Sequence, residues 1–251
     1  MKFNKREFLE LCGLSALGVS ALPLLKLRAG QVQPNPKAMV GKRWAMVINP
    51  GACTDNCREC RVACDQIHNI PHLPDPKHEV KWIWTENFEN AFPGQEYQYL
   101  EASLKERAIP VLCNHCDNPP CVRVCPTQAT FKNKDGIVLM DYHRCIGCRY
   151  CVAACPYGSR SFNWQDPRPF IKEINKEYPT RTRGVVEKCT FCVERLAKGQ
   201  IPACVEACTG KALVFGDLED PQSEVRQLLS AHYAIRRKSE LGTGPQVYYL
   251  V

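Results

Sequence analysis

The chain has 251 residues, room for one large or two small domains, and a formal charge of +7 with histidine neutral. Seventeen cysteines dominate it, and sixteen of them fall into four groups of four; their tight C-x2-C pairs are poor geometry for many independent bridges, which argues against a disulfide framework. No glycine-rich nucleotide loop, nucleophile triad or paired acid-base constellation occurs, so the common phosphoryl-transfer and hydrolytic chemistries have nothing to work with.

Residues 1–30 join a basic start to an apolar Leu/Ala/Gly run from Leu11 to Leu25 and read as a targeting segment. Asn4-Lys5-Arg6-Glu7-Phe8-Leu9 resembles the twin-arginine export motif with lysine for the first arginine. The run is shorter than the ~20 residues that span a bilayer comfortably. Gly13, Gly18 and Pro23 weaken it as a permanent helix, while no A-x-A site marks cleavage, so signal and anchor both stay open. Cys12 lies inside the run and is not expected to be a ligand. Residues 31–43, with Pro34, Pro36 and Gly41, read as a linker.

Trp44 to Asn49 is a short apolar strand, and Pro50-Gly51 turns it into the first cysteine group: Cys53, Cys57, Cys60 and Cys64. Asp65 to Leu112 holds no cysteine and reads as an insertion, with a strand at Val80 to Trp84. Trp82, Trp84, Phe88 and Phe92 are expected to be core; the sharper alternative is a docking surface for a partner.

The second and third groups are the most regular. Cys145, Cys148, Cys151 and Cys155, followed by Pro156, keep the C-x2-C-x2-C-x3-C-P spacing in which three thiolates hold one iron-sulfur cluster and the fourth holds another. Cys113, Cys116, Cys121 and Cys125, followed by Pro126, repeat it with two residues added before the third cysteine. Between them Ala129-Thr130-Phe131 and Ile137 to Met140 flank Lys134-Asp135-Gly136, a hairpin signal. Asp166 to Gly184 is a second polar insertion, and the histidines, none following a C-x2-C pair, read as structural or surface.

In the last group Cys189 and Cys192 are separated by eleven residues from Cys204 and Cys208, with Thr209 where proline would stand. This group alone has the two-knuckle look of a zinc site, so a zinc-stabilised binding module is the competing class. Val193 to Lys198 is helix-compatible, Ala212 to Phe215 a strand, Ser223 to Ser239 a helix with Ser223 as cap, and Val247 to Leu250 an edge strand. An oxidised 4Fe-4S core on four thiolates carries about −2, so four of them bring roughly −8 and leave the loaded protein near −1. The basic excess therefore reads as counter-charge, with Arg144, Arg149, Lys188 and Lys211 near ligands, and not as a nucleic-acid face.

The stretches CNHCDNPPCVRVCPTQAT, DGIVLMDYHRCIGCRYCVAACPYGSRSF and EKCTFCVERLAKGQIPACVEACTGKALVFGD resemble the four-cluster ferredoxin-type subunits of respiratory membrane complexes, such as dimethyl sulfoxide, polysulfide and nitrite reductase systems, from about Trp44 to Val225. Together with the export-type start, INKEYPTRTRGVVEKCTFC (Ile174 to Cys192) is most similar to the DsrO branch, the extracytoplasmic iron-sulfur subunit of the Dsr (Hme, DsrMKJOP) menaquinone-linked complex of dissimilatory sulfur metabolism.

The resemblance implies an α+β fold of two interleaved bacterial-ferredoxin-like modules with loop insertions. The inner module spans 111–165; the outer is built from 44–110 and 184–220 with an insertion at 65–112; a helix and strand close the chain at 221–251. It implies four 4Fe-4S clusters, held by Cys113, Cys116, Cys121 with Cys155; by Cys145, Cys148, Cys151 with Cys125; by Cys53, Cys57, Cys60 with Cys208; and by Cys189, Cys192, Cys204 with Cys64. It further implies a non-catalytic subunit on the periplasmic face of the cytoplasmic membrane. There it would relay single electrons between an NrfD-like quinone-binding membrane subunit and redox partners, including a multihaem cytochrome c. The rival within this class is the electron-transfer subunit of a molybdopterin oxidoreductase.

Overall fold

The computed structural model describes residues 38–54, 56–95 and 99–251. The export-type segment with Cys12, and most of the expected linker, lie outside the described residues.

In chain order the elements are β1 (Trp44–Ile48), α1 (Glu59–Ile67), β2 (Ile83–Asn87), α2 (Phe88–Ala91), α3 (Ala102–Lys105), β3 (Ala108–Leu112), α4 (Pro120–Arg123), β4 (Thr130–Lys132) and β5 (Val138–Met140). The second half holds α5 (Tyr150–Ala153), β6 (Ser161–Phe162), β7 (Val186–Glu187), α6 (Val193–Leu196), α7 (Ala203–Glu206), β8 (Leu213–Asp217), α8 (Glu224–Ala231), β9 (Ala234–Ile235) and β10 (Val247–Leu250). Helix and strand are mixed throughout. Among the described residues no helix is long and apolar enough to cross a membrane.

The sheet that organises the chain runs β8-β1-β10-β9. All five residues of β1 are apolar and buried, as a strand covered on both faces must be. One face, Met46 and Ile48, joins the main core with Trp82, Trp84, Phe88, Phe92, Ile109 and Tyr249. The other, Ala45 and Val47, packs on Val225 and Leu228 of α8. Trp82, Trp84, Phe88 and Phe92 of the 65–112 stretch are therefore core, and that stretch pairs β2 with β3 antiparallel to build it.

Three expectations are corrected. Val247 to Leu250 is not an edge strand: β10 lies between β1 and β9, parallel to β1, with Val247 and Tyr249 turned into the core. The helix expected over Ser223 to Ser239 stops at Ala231, because Ala234 and Ile235 are taken up by β10 as a short outer strand, and Ser223 stands at the cap position without a side-chain cap bond. The strand expected at Val80 begins only at Ile83, since Lys81 N–H is drawn off to Ser161 Oγ at 2.8 Å. The described end of the linker is pinned: Lys42 and Arg43 N–H both donate to the Asp217 carboxylate at 2.9 Å, and Met39 N–H donates to Leu196 O. The hairpin between the second and third groups forms as expected, Asn133 Oδ1 accepting from Asp135 and Ile137 N–H around Gly136.

Candidate metal centres

The four cysteine groups fold by one local rule. The residue before each second cysteine is left-handed: Asn56, His115, Gly147 and Phe191, with φ between 41° and 69°. The chain thereby doubles back, so that both thiols of the pair can face one point. Each third cysteine is the second residue of a helix: Cys60 in α1, Cys121 in α4, Cys151 in α5 and Cys204 in α7. Three residues past the fourth cysteine the backbone is left-handed again in three groups, at Gln128, Gly158 and Lys211.

At the first of these positions side chains are tolerated in three groups, so the left-handed φ alone does not demand glycine. Gly147 is different, because a Cβ there would run into the carbonyl oxygen of Gly184 and lie 3.2 Å from Phe162. Gly147→Ala is expected to cost about 1–3 kcal/mol through this overpacking, read as a thermal midpoint lower by ~2–4 °C per kcal/mol. An unchanged midpoint with unchanged iron content would show that the approach is not tight.

None of the sixteen described cysteines is in a disulfide. The thiols gather across groups, as their mutual influence shows. Burial, then the thiolates of Cys53, Cys208 and Cys57, push Cys60 up to about 11. Cys64, wholly buried, is pushed well up by burial and then by Cys192, Cys189 and Cys204. Cys116 is pushed up to about 12 by burial and then by Cys113, with Cys121 and Cys155 adding. Of the remaining four, Cys125, Cys145 and Cys151 share one small cluster of side chains, and Cys148 is exposed. Cys125 is brought below its ordinary value: burial opposes ionisation, but hydrogen bonds from Thr130 N–H, Thr127 and Ala129 N–H outweigh it.

Fourth cysteines thus cross over. Cys208 faces the first group and Cys64 faces the last, so the reading of Cys189, Cys192, Cys204 and Cys208 as one zinc knuckle does not match the geometry. Backbone N–H groups point at sulfur, from Ala212 to Cys208 at 3.2 Å, Phe191 to Cys189 at 3.4 Å and Thr130 to Cys125 at 3.5 Å. Cys113, Cys116, Cys121 and Cys155 line one small cavity together with Asn114 and Arg160. The Asn114 amide and one terminal nitrogen of Arg160 are buried with no hydrogen-bond partner among protein atoms. Unpaired donors beside four thiols suit an anionic, sulfide-bearing group.

Two buried histidines are structural. His68 stacks on Trp82, donates from Nδ1 to Cys64 O at 3.0 Å and meets Glu194 through Nε2 at 2.9 Å. His115 stacks on Phe191 and accepts Val138 N–H on Nδ1, and burial holds it well below the usual imidazole range. The counter-charges are only partly those expected. Lys188 is buried, bonding the carbonyls of Val138 and Cys189. Arg144 is exposed and pairs with Asp141, Arg149 lies over Trp164, and Lys211 is exposed. The buried cations that the sequence reading missed are Arg160, Arg181 and Arg237. Nothing in their local sequence distinguishes them from surface arginines.

Four repeated cysteine loops, fourth thiols that cross between groups, N–H groups aimed at sulfur and buried cations define a ferredoxin-type iron-sulfur protein. Residues 105–169 and 173–218 match the 4Fe-4S dicluster domain. The chain is 42% identical to the Hdr-like menaquinol oxidoreductase iron-sulfur subunit 1 of Archaeoglobus fulgidus, over 98% of this chain and 97% of that one. It is 38% identical to a tetrathionate reductase subunit of Salmonella typhimurium, over 100% and 89% of the two chains, and 40% identical to the menaquinone reductase iron-sulfur cluster-binding subunit of Nitratidesulfovibrio vulgaris, over 83% and 88%. The chain belongs to this family of iron-sulfur electron-transfer subunits, and its cofactors are four 4Fe-4S clusters.

Proposed function

We propose that the protein relays single electrons through its four clusters between a quinone-interacting membrane subunit of the NrfD type and other redox subunits, a multihaem cytochrome c among them. The clusters are assigned to Cys53, Cys57, Cys60 with Cys208; Cys189, Cys192, Cys204 with Cys64; Cys113, Cys116, Cys121 with Cys155; and Cys145, Cys148, Cys151 with Cys125. The observation that carries the relay is a succession of thiols approaching across sets. Cys151 feels Cys121, Cys189 feels Cys113, and Cys204 feels Cys60. These three junctions, with Cys121 and Cys151 in one packed cluster and Cys60, Cys113, Cys189 and Cys204 in another, support an order of the sets in a line. The Cys148 set stands at one end and the Cys53 set at the other, so the module that is inner in sequence, 111–165, forms one terminal half of the line. The two modules interleave through Cys64 and Cys208.

When bound, the clusters supply one-electron chemistry. The chain's own part is to hold the irons through thiolates and to set potentials by burial and by N–H bonds to sulfur. The exposed Cys148 loop is the natural point of exchange with a partner at its end. Similarity to a menaquinol oxidoreductase subunit over nearly the whole chain supports a quinone-linked complex, and the likeness of Ile174 to Cys192 to the DsrO branch favours one of the Dsr type in sulfur metabolism. The export-type start supports placement on the periplasmic face, delivered already loaded. Similarity to the tetrathionate reductase subunit favours, as second reading, service to a molybdopterin enzyme.

Purification from native membranes tests both. About sixteen irons and sixteen sulfides per chain are expected, with an NrfD-like subunit and a cytochrome c in the same complex. A large molybdopterin subunit in their place would decide for the second reading. Colourless, zinc-loaded protein would sink both.

A further inference from the structure

We propose that Arg160 is a cation shared by two clusters, those on Cys113, Cys116, Cys121, Cys155 and on Cys125, Cys145, Cys148, Cys151, and that it sets their potentials together. This rests on the cluster assignment above.

Arg160 is 5% exposed, deep in the 111–165 module. One terminal nitrogen donates to Thr130 Oγ1 at 3.1 Å and lies 3.8 Å from Met140 Sδ, which fixes the plane of the guanidinium between β4 and β5. The other has no partner among protein atoms. Arg160 also lines the cavity of the first of these sets, alongside Cys113, Cys116, Cys121 and Cys155. Cys121 and Cys151, one from each set, belong to the same packed cluster as Met140, the residue beside the guanidinium. No carboxylate is paired with Arg160 in the described residues, unlike Arg181, which has Glu187.

A buried guanidinium without a carboxylate is costly unless an anion compensates it. Here the compensation comes from sulfur on both sides. The Cys113, Cys116, Cys121 and Cys155 thiols line the cavity that Arg160 enters, and Cys151 of the other set packs in the cluster that holds Met140. Because arginine stays charged over the whole working range, the charge is constant: no proton moves, and Arg160 neither takes nor gives an electron. Its effect is to favour the added electron on whichever neighbouring cluster has just been reduced by the preceding centre. One fixed charge beside two anionic centres must act on both.

The test is an EPR-monitored redox titration of the iron-loaded Arg160→Gln and Arg160→Lys proteins, with iron counted beforehand. In Arg160→Gln two of the four one-electron steps are expected to move to lower potential by at least tenfold in their reduction equilibrium, ~59 mV each. Arg160→Lys keeps both within that tenfold. A shift of one step only, of all four, of none, or an equal shift in the lysine variant would overturn the proposal. Should the glutamine variant lose iron, a shared cation predicts the loss of about eight irons, two clusters of four; loss of about four or of all sixteen would overturn it. Wild-type protein with fewer than four clusters would instead sink the assignment on which the proposal rests.

Discussion

Glu187→Ala is expected to destabilise the loaded protein by about 3–5 kcal/mol, the cost of leaving a buried charge without its partner. Glu187 and Arg181 are both buried and meet at 2.6 Å. Glu187 also accepts from Trp82 Nε1 at 3.2 Å and from Asn163 Nδ2 at 2.5 Å. Arg181 donates to the carbonyls of His68, Pro179 and Asn69 and lies over the rings of Trp82 and Tyr178. Burial works against its charge, but Glu187 more than restores it. This one ion pair therefore ties the 164–184 loop, the main aromatic core and β7 together, one residue before Lys188 and two before Cys189.

Because the whole network is out of water, truncating Glu187 strands the guanidinium charge and the Trp82 N–H at once and leaves the Asn163 amide only Thr182 O. The thermal midpoint should fall by ~2–4 °C per kcal/mol in a chain of this size. Glu187→Gln, which keeps an acceptor and loses the charge, should fall less. The double variant Arg181→Met, Glu187→Met should recover most of the loss, since apolar side chains can replace a buried pair at little cost. A double variant as unstable as Glu187→Ala would mean that the hydrogen bonds to Trp82 and Asn163 dominate, not the stranded charge.

What the sequence disclosed and what it hid divide along physical lines. Ligand spacing is a local property, so the regular groups at Cys113 to Cys125 and Cys145 to Cys155 and the hairpin between them could be placed directly. The left-handed residue before each second cysteine stayed hidden because Asn56, His115 and Phe191 are not glycines. Val247 to Leu250 reads as an edge strand when only its own alternation is seen. Its interior place follows from pairing with Met46 to Ile48, some two hundred positions away in the chain. Arg160 and Arg181 look like any surface arginine until the fold surrounds them. The zinc look of the last group arose for a related reason: only the fold brings Cys64, on α1, up to Cys189, Cys192 and Cys204.

Anaerobic removal of iron is expected to unfold the 111–165 module while the β8-β1-β10 sheet persists. Beyond its cysteines, the module's own secondary structure is slight. Its helices α4 and α5 have four residues each, and β4 and β5 three each. Helices below ~12–15 residues are marginal in water, and an isolated hairpin is no better. Of the six buried residues in its packed cluster, two are Cys121 and Cys151. Arg160 would be left buried with no anion to answer it. The sheet has other support: Met46, Ile48, Ile109 and Tyr249 on one face, Val47 and Val225 on the other. Hydrogen exchange of chelator-treated protein should show amides of Thr130–Lys132 and Val138–Met140 exchanging near the unfolded rate, with those of Trp44–Ile48 and Leu213–Asp217 still protected. Retained protection in the hairpin would mean that its backbone pairing and the Asn133 turn suffice without metal. Simultaneous loss in both regions would mean that metal held through Cys64, on the helix after β1, and Cys208, just before β8, staples the whole chain as one cooperative unit.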